Sequence, residues 1–172
     1  FDGAYSLRPD PDKWQQITIP FTMPDGFDNV DLAIHMPYTD GYVYVDDVSL
    51  YMTGAPGGSV DGIQYVDNGD FEDVENSNHT TSENVAVVEE GENHVVKLDG
   101  SGEAWIEIPV TDLVSASTYS VSFRHKGELT GGQLKADAAL YRDSSMGWDT
   151  HRGDVAIGTV TPGAEWNKYT GY

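Results

Sequence analysis

"VYVDDVSLY", residues 43–51, begins as a β-strand with Val43 and Val45 on one face, then places Val48, Leu50 and the following Met52 on the other. Strand side chains alternate with a period of two, so a change of face requires an inserted residue. The switch at Asp46–Asp47 therefore suggests a β-bulge. The alternative is an unbroken strand with Tyr42, Tyr44, Asp46, Val48, Leu50 and Met52 on one face. That version sets a carboxylate among core residues, which is costly unless a cation or hydrogen-bond donors satisfy it. Either way, one aspartate needs a partner.

The same period of two runs through the rest of the chain. "ITIPF" aligns Ile17, Ile19 and Phe21, and "NVDLAIHMP" aligns Val30, Leu32, Ile34 and Met36 against Asp31, Ala33 and His35. "AWIEIPV" alternates Ile106, Ile108 and Val110 with Trp105, Glu107 and Pro109, and "TYSVSFRH" sets Tyr119, Val121 and Phe123 against Ser120, Ser122 and Arg124. "LKADAALYR" and "DVAIGTV" are weaker strands, and "PDG", "TDG", "GEN", "DGSG" and "TGG" supply turns between them. No amphipathic helix emerges beyond a single turn at "VTDLVSAS". Many short strands with regular turns predict an all-β antiparallel sandwich of the jelly-roll kind.

Composition narrows the function classes. The 172 residues carry 29 acidic against 9 basic side chains, a net charge of -20. Such a surface repels phosphate backbones and anionic lipid, which disfavours nucleic-acid and membrane-surface roles. The acids are dispersed, as on a solvated, self-repelling surface; they also suit saline surroundings and offer Ca²⁺ ligands. With no cysteine, disulfides and thiolate metal sites are excluded. No apolar run approaches the roughly 18 residues that would span a bilayer as a helix. A chain opening at Phe1 reads as a mature product or a piece of something longer.

The order of the segments is unusual. "VYVDDVSLY" reads as a closing strand, yet a Gly/Pro-rich stretch and then "NGDFED", residues 68–73, follow it like a beginning. "KWQQITIPF", 13–21, is echoed by "EWNKYTGY", 165–172, pairing Trp14 with Trp166 and Thr18 with Thr170. An echo of this kind predicts slightly more than one period of a tandem array. Residues 1–54 then form the C-terminal half of one module, 55–64 a linker, and 65–172 the N-terminal portion of the next.

In rotated order, "NGDFED", "TYSVSFRHKG", the Trp-led strand and "YVDDVSL" resemble the jelly-roll carbohydrate-binding modules of the group containing families 4, 9, 16 and 22. The resemblance touches most of the chain but departs in order, since the closing half comes first. It implies a non-catalytic extracellular or cell-surface β-sandwich that binds polysaccharide or glycan. It further implies a structural Ca²⁺ held between the opening segment, through Asp70, Glu72 and Asp73, and the closing strand, through Asp46 or Asp47. Without a metal, Asp70 would cap a turn and Asp47 would accept from backbone amides. If the segments belong to different modules, that site closes only within the chain or between chains.

Sugar binding calls for aromatic faces with polar grips. Trp105 and Tyr141 lie opposite the core phase, roughly where some of those modules carry platform aromatics, and Trp148 sits in the loop "SSMGWDTH". Ala33 and His35 stand where several such modules place a Tyr and a Glu. Roof packing and module contacts are equally open to these aromatics, and Trp14 and Trp166, which begin strands, read as core. No nucleophile elbow, phosphate loop or HxxxH metal spacing occurs. "RGD" at 152–154 and the sequon "NHT" at 78–80 are short enough to arise by chance. Two function classes remain: a glycan-binding accessory module, and a structural repeat of an extracellular fibre, sheath or adhesin. In the second, neighbouring copies complete each other's sheets head to tail.

Overall fold

The alternating segments become eleven strands: β1 (Ala4–Tyr5), β2 (Gln15–Thr22), β3 (Asn29–Met36), β4 (Gly41–Gly54), β5 (Thr80–Thr81), β6 (Val85–Glu90), β7 (Asn93–Asp99), β8 (Ala104–Val110), β9 (Thr118–Leu129), β10 (Leu134–Tyr141) and β11 (His151–Val160). The computed structural model describes residues 4–5, 14–36, 38–58, 62–75, 78–130, 134–141, 145–146 and 151–160. Among the described residues there is no helix. One sheet runs β1-β11-β10-β3-β8-β5 and the other β2-β9-β4-β7-β6. All pairings between strands are antiparallel except the short β1–β11 contact. The molecule is an all-β sandwich, as the periodicity predicts.

The core lies between the sheets and is made by the phases read from sequence. Val30, Leu32, Ile34 and Met36 of β3 and Ile106, Ile108 and Val110 of β8 face Val43, Val45, Leu50, Leu98, Tyr119, Val121 and Phe123 across the interior. Strands from the two ends of the chain alternate within both sheets: β3 lies between β10 and β8, and β4 between β9 and β7. The described strands of 1–54 and of 65–172 thus pair with one another in both sheets and share one core. The 55–64 stretch is tied down at both ends. Gly58 N–H donates to Ala55 O at 2.9 Å, and Gln64 bridges to Tyr51.

The phase switch in β4 is a bulge. Asp46 pairs with Arg124 and the next register partner is Ser49 with Ser122, so β4 spends one more residue than β9 over that interval. Asp47 takes the left-handed conformation, φ 51°, and Val48 turns back into the core. β7 leaves β4 at Val45–Val96, just before the bulge. The bared edge of β4 is then covered by 64–69. Val48 N–H donates to Gly69 O (2.8 Å), Tyr65 N–H to Leu50 O (2.9 Å), and Gln64 Oε1 accepts from Leu50 N–H (2.7 Å) and Val66 N–H (3.1 Å). Gly69 must be glycine here, because a Cβ would stand 1.9 Å from Val48 O. Phe71 follows into the core at 1 % exposure. The apparent ending and the apparent beginning of the sequence are therefore one joint.

Candidate functional site

The outer face of the six-stranded sheet is set by β3, whose polar phase shows Asp31, Ala33 and His35. Register places Lys135, Asp137 and Ala139 of β10 beside His35, Ala33 and Asp31 on one flank. Trp105, Glu107 and Pro109 of β8 lie beside the same three on the other. Ala33 thus sits between Glu107 and Asp137 with the shortest side chain of the three, flooring a shallow trough. His35 Nε2 is hydrogen-bonded to Asp137 Oδ2 across the β3–β10 boundary. Trp105 is half-buried at the His35 end, its backbone fixed by Ser82: Trp105 N–H donates to Ser82 Oγ (3.0 Å) and Ser82 N–H to Trp105 O (3.1 Å). The arrangement offers one aromatic face with acidic and imidazole groups alongside, the components needed to hold a polyhydroxyl ligand.

The other expected ligand-binding residues fare differently. Tyr141 has the outward phase but is only 7 % exposed, and its hydroxyl donates to Asp31. Burial raises the Asp31 carboxyl above the ordinary carboxylate range, partly offset by that bond. Trp148 and Trp166 lie outside the described residues. Trp14 is not core: it is half-buried on the far side of the sandwich, with the Arg124 guanidinium 5.2 Å and the Lys126 ammonium 5.9 Å from its ring centroid. Trp14 stands just ahead of β2 in the phase opposite Ile17, Ile19 and Phe21, so it faces outward beside Lys126. Sequence reading passed over Asp137, although "KADA" puts it in phase with Tyr141 and against Ala136 and Ala138.

The acidic residues expected to hold Ca²⁺ come partly together at the β4 joint. Asp46 is 4 % exposed, and its Oδ1 accepts from Asp47 N–H at 2.8 Å. Burial pushes its carboxyl up to about 6, with the negative charges of Asp47 and Glu72 acting in the same direction. Asp47 turns to the outer face, where Arg124 Nη1 donates to its Oδ2 at 3.1 Å. Glu72 spends both oxygens on His94, accepting from its backbone N–H and meeting Nδ1, each at 2.9 Å, which holds the Glu72 carboxyl below its usual range. Asp70 Oδ1 lies 3.5 Å from Glu72 N–H, at the limit of a turn cap. Asp73 is closed onto Asn68, which accepts from its N–H at 3.0 Å and donates to its carbonyl at 2.9 Å. Among the described residues no three His, Asp or Glu side chains converge as ligands. Ca²⁺ takes six to eight oxygens; in this arrangement Asp47 is engaged with Arg124, Glu72 with His94 and Asp46 with a backbone amide.

No family model, no curated protein and no solved structure matches this chain.

Proposed function

We propose that this protein is a non-catalytic β-sandwich repeat, similar to the carbohydrate-binding modules, that holds polysaccharide or cell-surface glycan on the outer face of its six-stranded sheet. The observation that carries the reading is the convergence of Trp105, the His35–Asp137 pair and Glu107 around the floor at Ala33. Trp105 would stack on a sugar ring while the polar groups accept from or donate to its hydroxyls. Carboxylates on the trough walls favour neutral over acidic polysaccharides. Such a protein would work outside the cell or on its surface. Affinity electrophoresis through gels containing neutral and uronate-bearing polysaccharides tests this. Retardation by a neutral glycan, lost in Trp105→Ala and without release of reducing ends, supports it. No retardation by any glycan refutes it.

A structural role in an extracellular fibre, sheath or adhesin is the second reading. Its support is the alternation of 1–54 and 65–172 strands in both sheets, since a neighbour's 1–54 could occupy the same places. Filaments that grow with concentration and fall apart in EDTA would favour it, with Ca²⁺ as a structural ion. For Ca²⁺ to bind at Asp46 and Glu72, Glu72 would have to leave His94. A thermal midpoint raised by Ca²⁺ in the parent and not in Glu72→Gln would show that exchange.

A further inference from the structure

The outer face of the five-stranded sheet carries a charge pattern that the trough on the opposite face does not explain. Tyr44 of β4 lies in register with Lys126 of β9 on one side and Lys97 of β7 on the other. Two residues back, on the same face, Tyr42 lies in register with Glu128 and Asp99. A cation–Tyr–cation row thus runs beside an acid–Tyr–acid row, about 6.7 Å away along the strands, with neighbours about 4.8 Å apart within each row. The inward neighbours Val43, Val45, Val96, Leu98, His125 and Gly127 are all buried, so these six side chains point outward. Their present contacts are exposed or partly exposed: Lys126 with Glu90 and over the Trp14 ring at 5.9 Å, Lys97 with Asp99 at 3.9 Å and over the Tyr42 ring at 5.7 Å, and Tyr42 against Tyr44 at 5.2 Å. Pairs of this kind are worth about 0–1 kcal/mol and are readily shared with a partner.

We infer that a second copy of this chain docks on this face by a twofold axis lying between the two rows and parallel to them. That operation exchanges the rows, so that Lys126 meets the partner's Glu128, Lys97 meets the partner's Asp99 and Tyr44 meets the partner's Tyr42. The face is self-complementary, as an isologous interface requires. Among the described residues it also holds three of the five basic side chains, which lowers the electrostatic cost for a chain of net charge -20 to meet itself. Around the rows, three cations (Lys97, Arg124, Lys126) stand among Asp47, Glu90, Asp99 and Glu128. With 8, 12, 14, 7 and 6 residues in β2, β9, β4, β7 and β6, the face at about 3.3 Å per residue and 4.8 Å per strand frames roughly 700 Å². A standard interface buries about 600–1,000 Å² per partner, a range that the face falls within. The dimer would turn its two Trp105 faces outward in opposite directions. On the glycan-binding reading it could link two polysaccharide chains.

Sedimentation equilibrium on the intact chain tests the interface and needs no glycan. Between about 1 μM and 1 mM the mass is expected to rise from 18.8 kDa toward twice that value. Lys126→Glu and Glu128→Lys each set like charges face to face at two symmetric contacts and are expected to weaken association at least tenfold. The double charge swap restores the pairing and is expected to return the dissociation constant to near that of the parent. Glu128→Lys leaves the Lys126–Glu90 pair untouched, so the two single variants control for each other. A monomer throughout that range overturns the proposal. So does a dimer indifferent to all three variants, which would point to exchange of strands between copies.

Discussion

His125 of β9 is fully buried in the core face, and neither ring nitrogen has a partner among the described residues. Burial pushes its pKa down to about 4 from the ordinary 6.5. The unfolded chain therefore binds a proton that the folded chain refuses. Stability from this residue is fully present above pH 6.5, declines as pH falls toward 4, and levels off below that. The total is about 3 kcal/mol at about 1.4 kcal/mol per unit. Flanking Arg124 and Lys126 face the opposite side of the sheet and only add to the cost of a buried cation. His125→Leu keeps roughly the same volume and removes the two unpaired nitrogens, so it should stabilise the protein at pH 7.5. The gain should then grow by roughly 2–3 kcal/mol on going to pH 4.5. Urea unfolding followed by tryptophan fluorescence at both pH values measures the difference. A variant effect that does not change with pH would refute the neutral, unpartnered histidine. Asp46 works the other way: its raised pKa costs stability as pH rises from about 4 through about 6, so Asp46→Asn should gain more at pH 7.5 than at pH 4.5. The cost at pH 7.5 is roughly 2–3 kcal/mol. The two residues oppose each other in the same window, and each single variant unmasks the other.

Other outcomes follow from the β4 joint and the trough. Gly69→Val should cost at least about 3 kcal/mol in urea unfolding, because the new side chain displaces Val48 O and breaks the clasp between the two halves of the chain. Asp47→Gly should be nearly neutral, the relief of a left-handed non-glycine residue offsetting the lost Arg124 pair, whereas Asp47→Val should cost about 2 kcal/mol. Glu72→Gln should speed hydrogen exchange at the His94 amide, whose acceptor is Glu72 Oε1, and leave the β3 amides unchanged. Ala33→Phe fills the trough between Glu107 and Asp137, and should abolish glycan retardation while the fold survives.

Where the sequence was legible, it was so through local alternation. The core phases of β3, β8 and β9 and the bulge at Asp46–Asp47 follow from side-chain periodicity, and the structure places them as read. Ligand assignments depended on long-range register, which periodicity cannot supply. Asp46 and Asp47 are adjacent in sequence, but the left-handed conformation of Asp47 leaves the Asp46 carboxylate inward and sends its own to Arg124. His35 looked like a missing sugar grip until β10 brought Asp137 to it. Trp14, expected in the core from its place before a strand, stands in the phase opposite Ile17, Ile19 and Phe21, so the same alternation carries it to the outer face. The row pattern of Lys126, Tyr44 and Lys97 was likewise invisible, because three strands far apart in the chain contribute to it.

The claim that the six-stranded face binds glycan is tested most directly by backbone and indole NMR shifts during titration with a neutral polysaccharide that retards the protein. The account predicts shifts confined to Ala33, His35, Trp105, Glu107 and Asp137, with the Trp105 indole N–H moving most and Tyr42, Tyr44 and Trp14 still. Shifts centred on the five-stranded face, or none at saturating glycan, would contradict it.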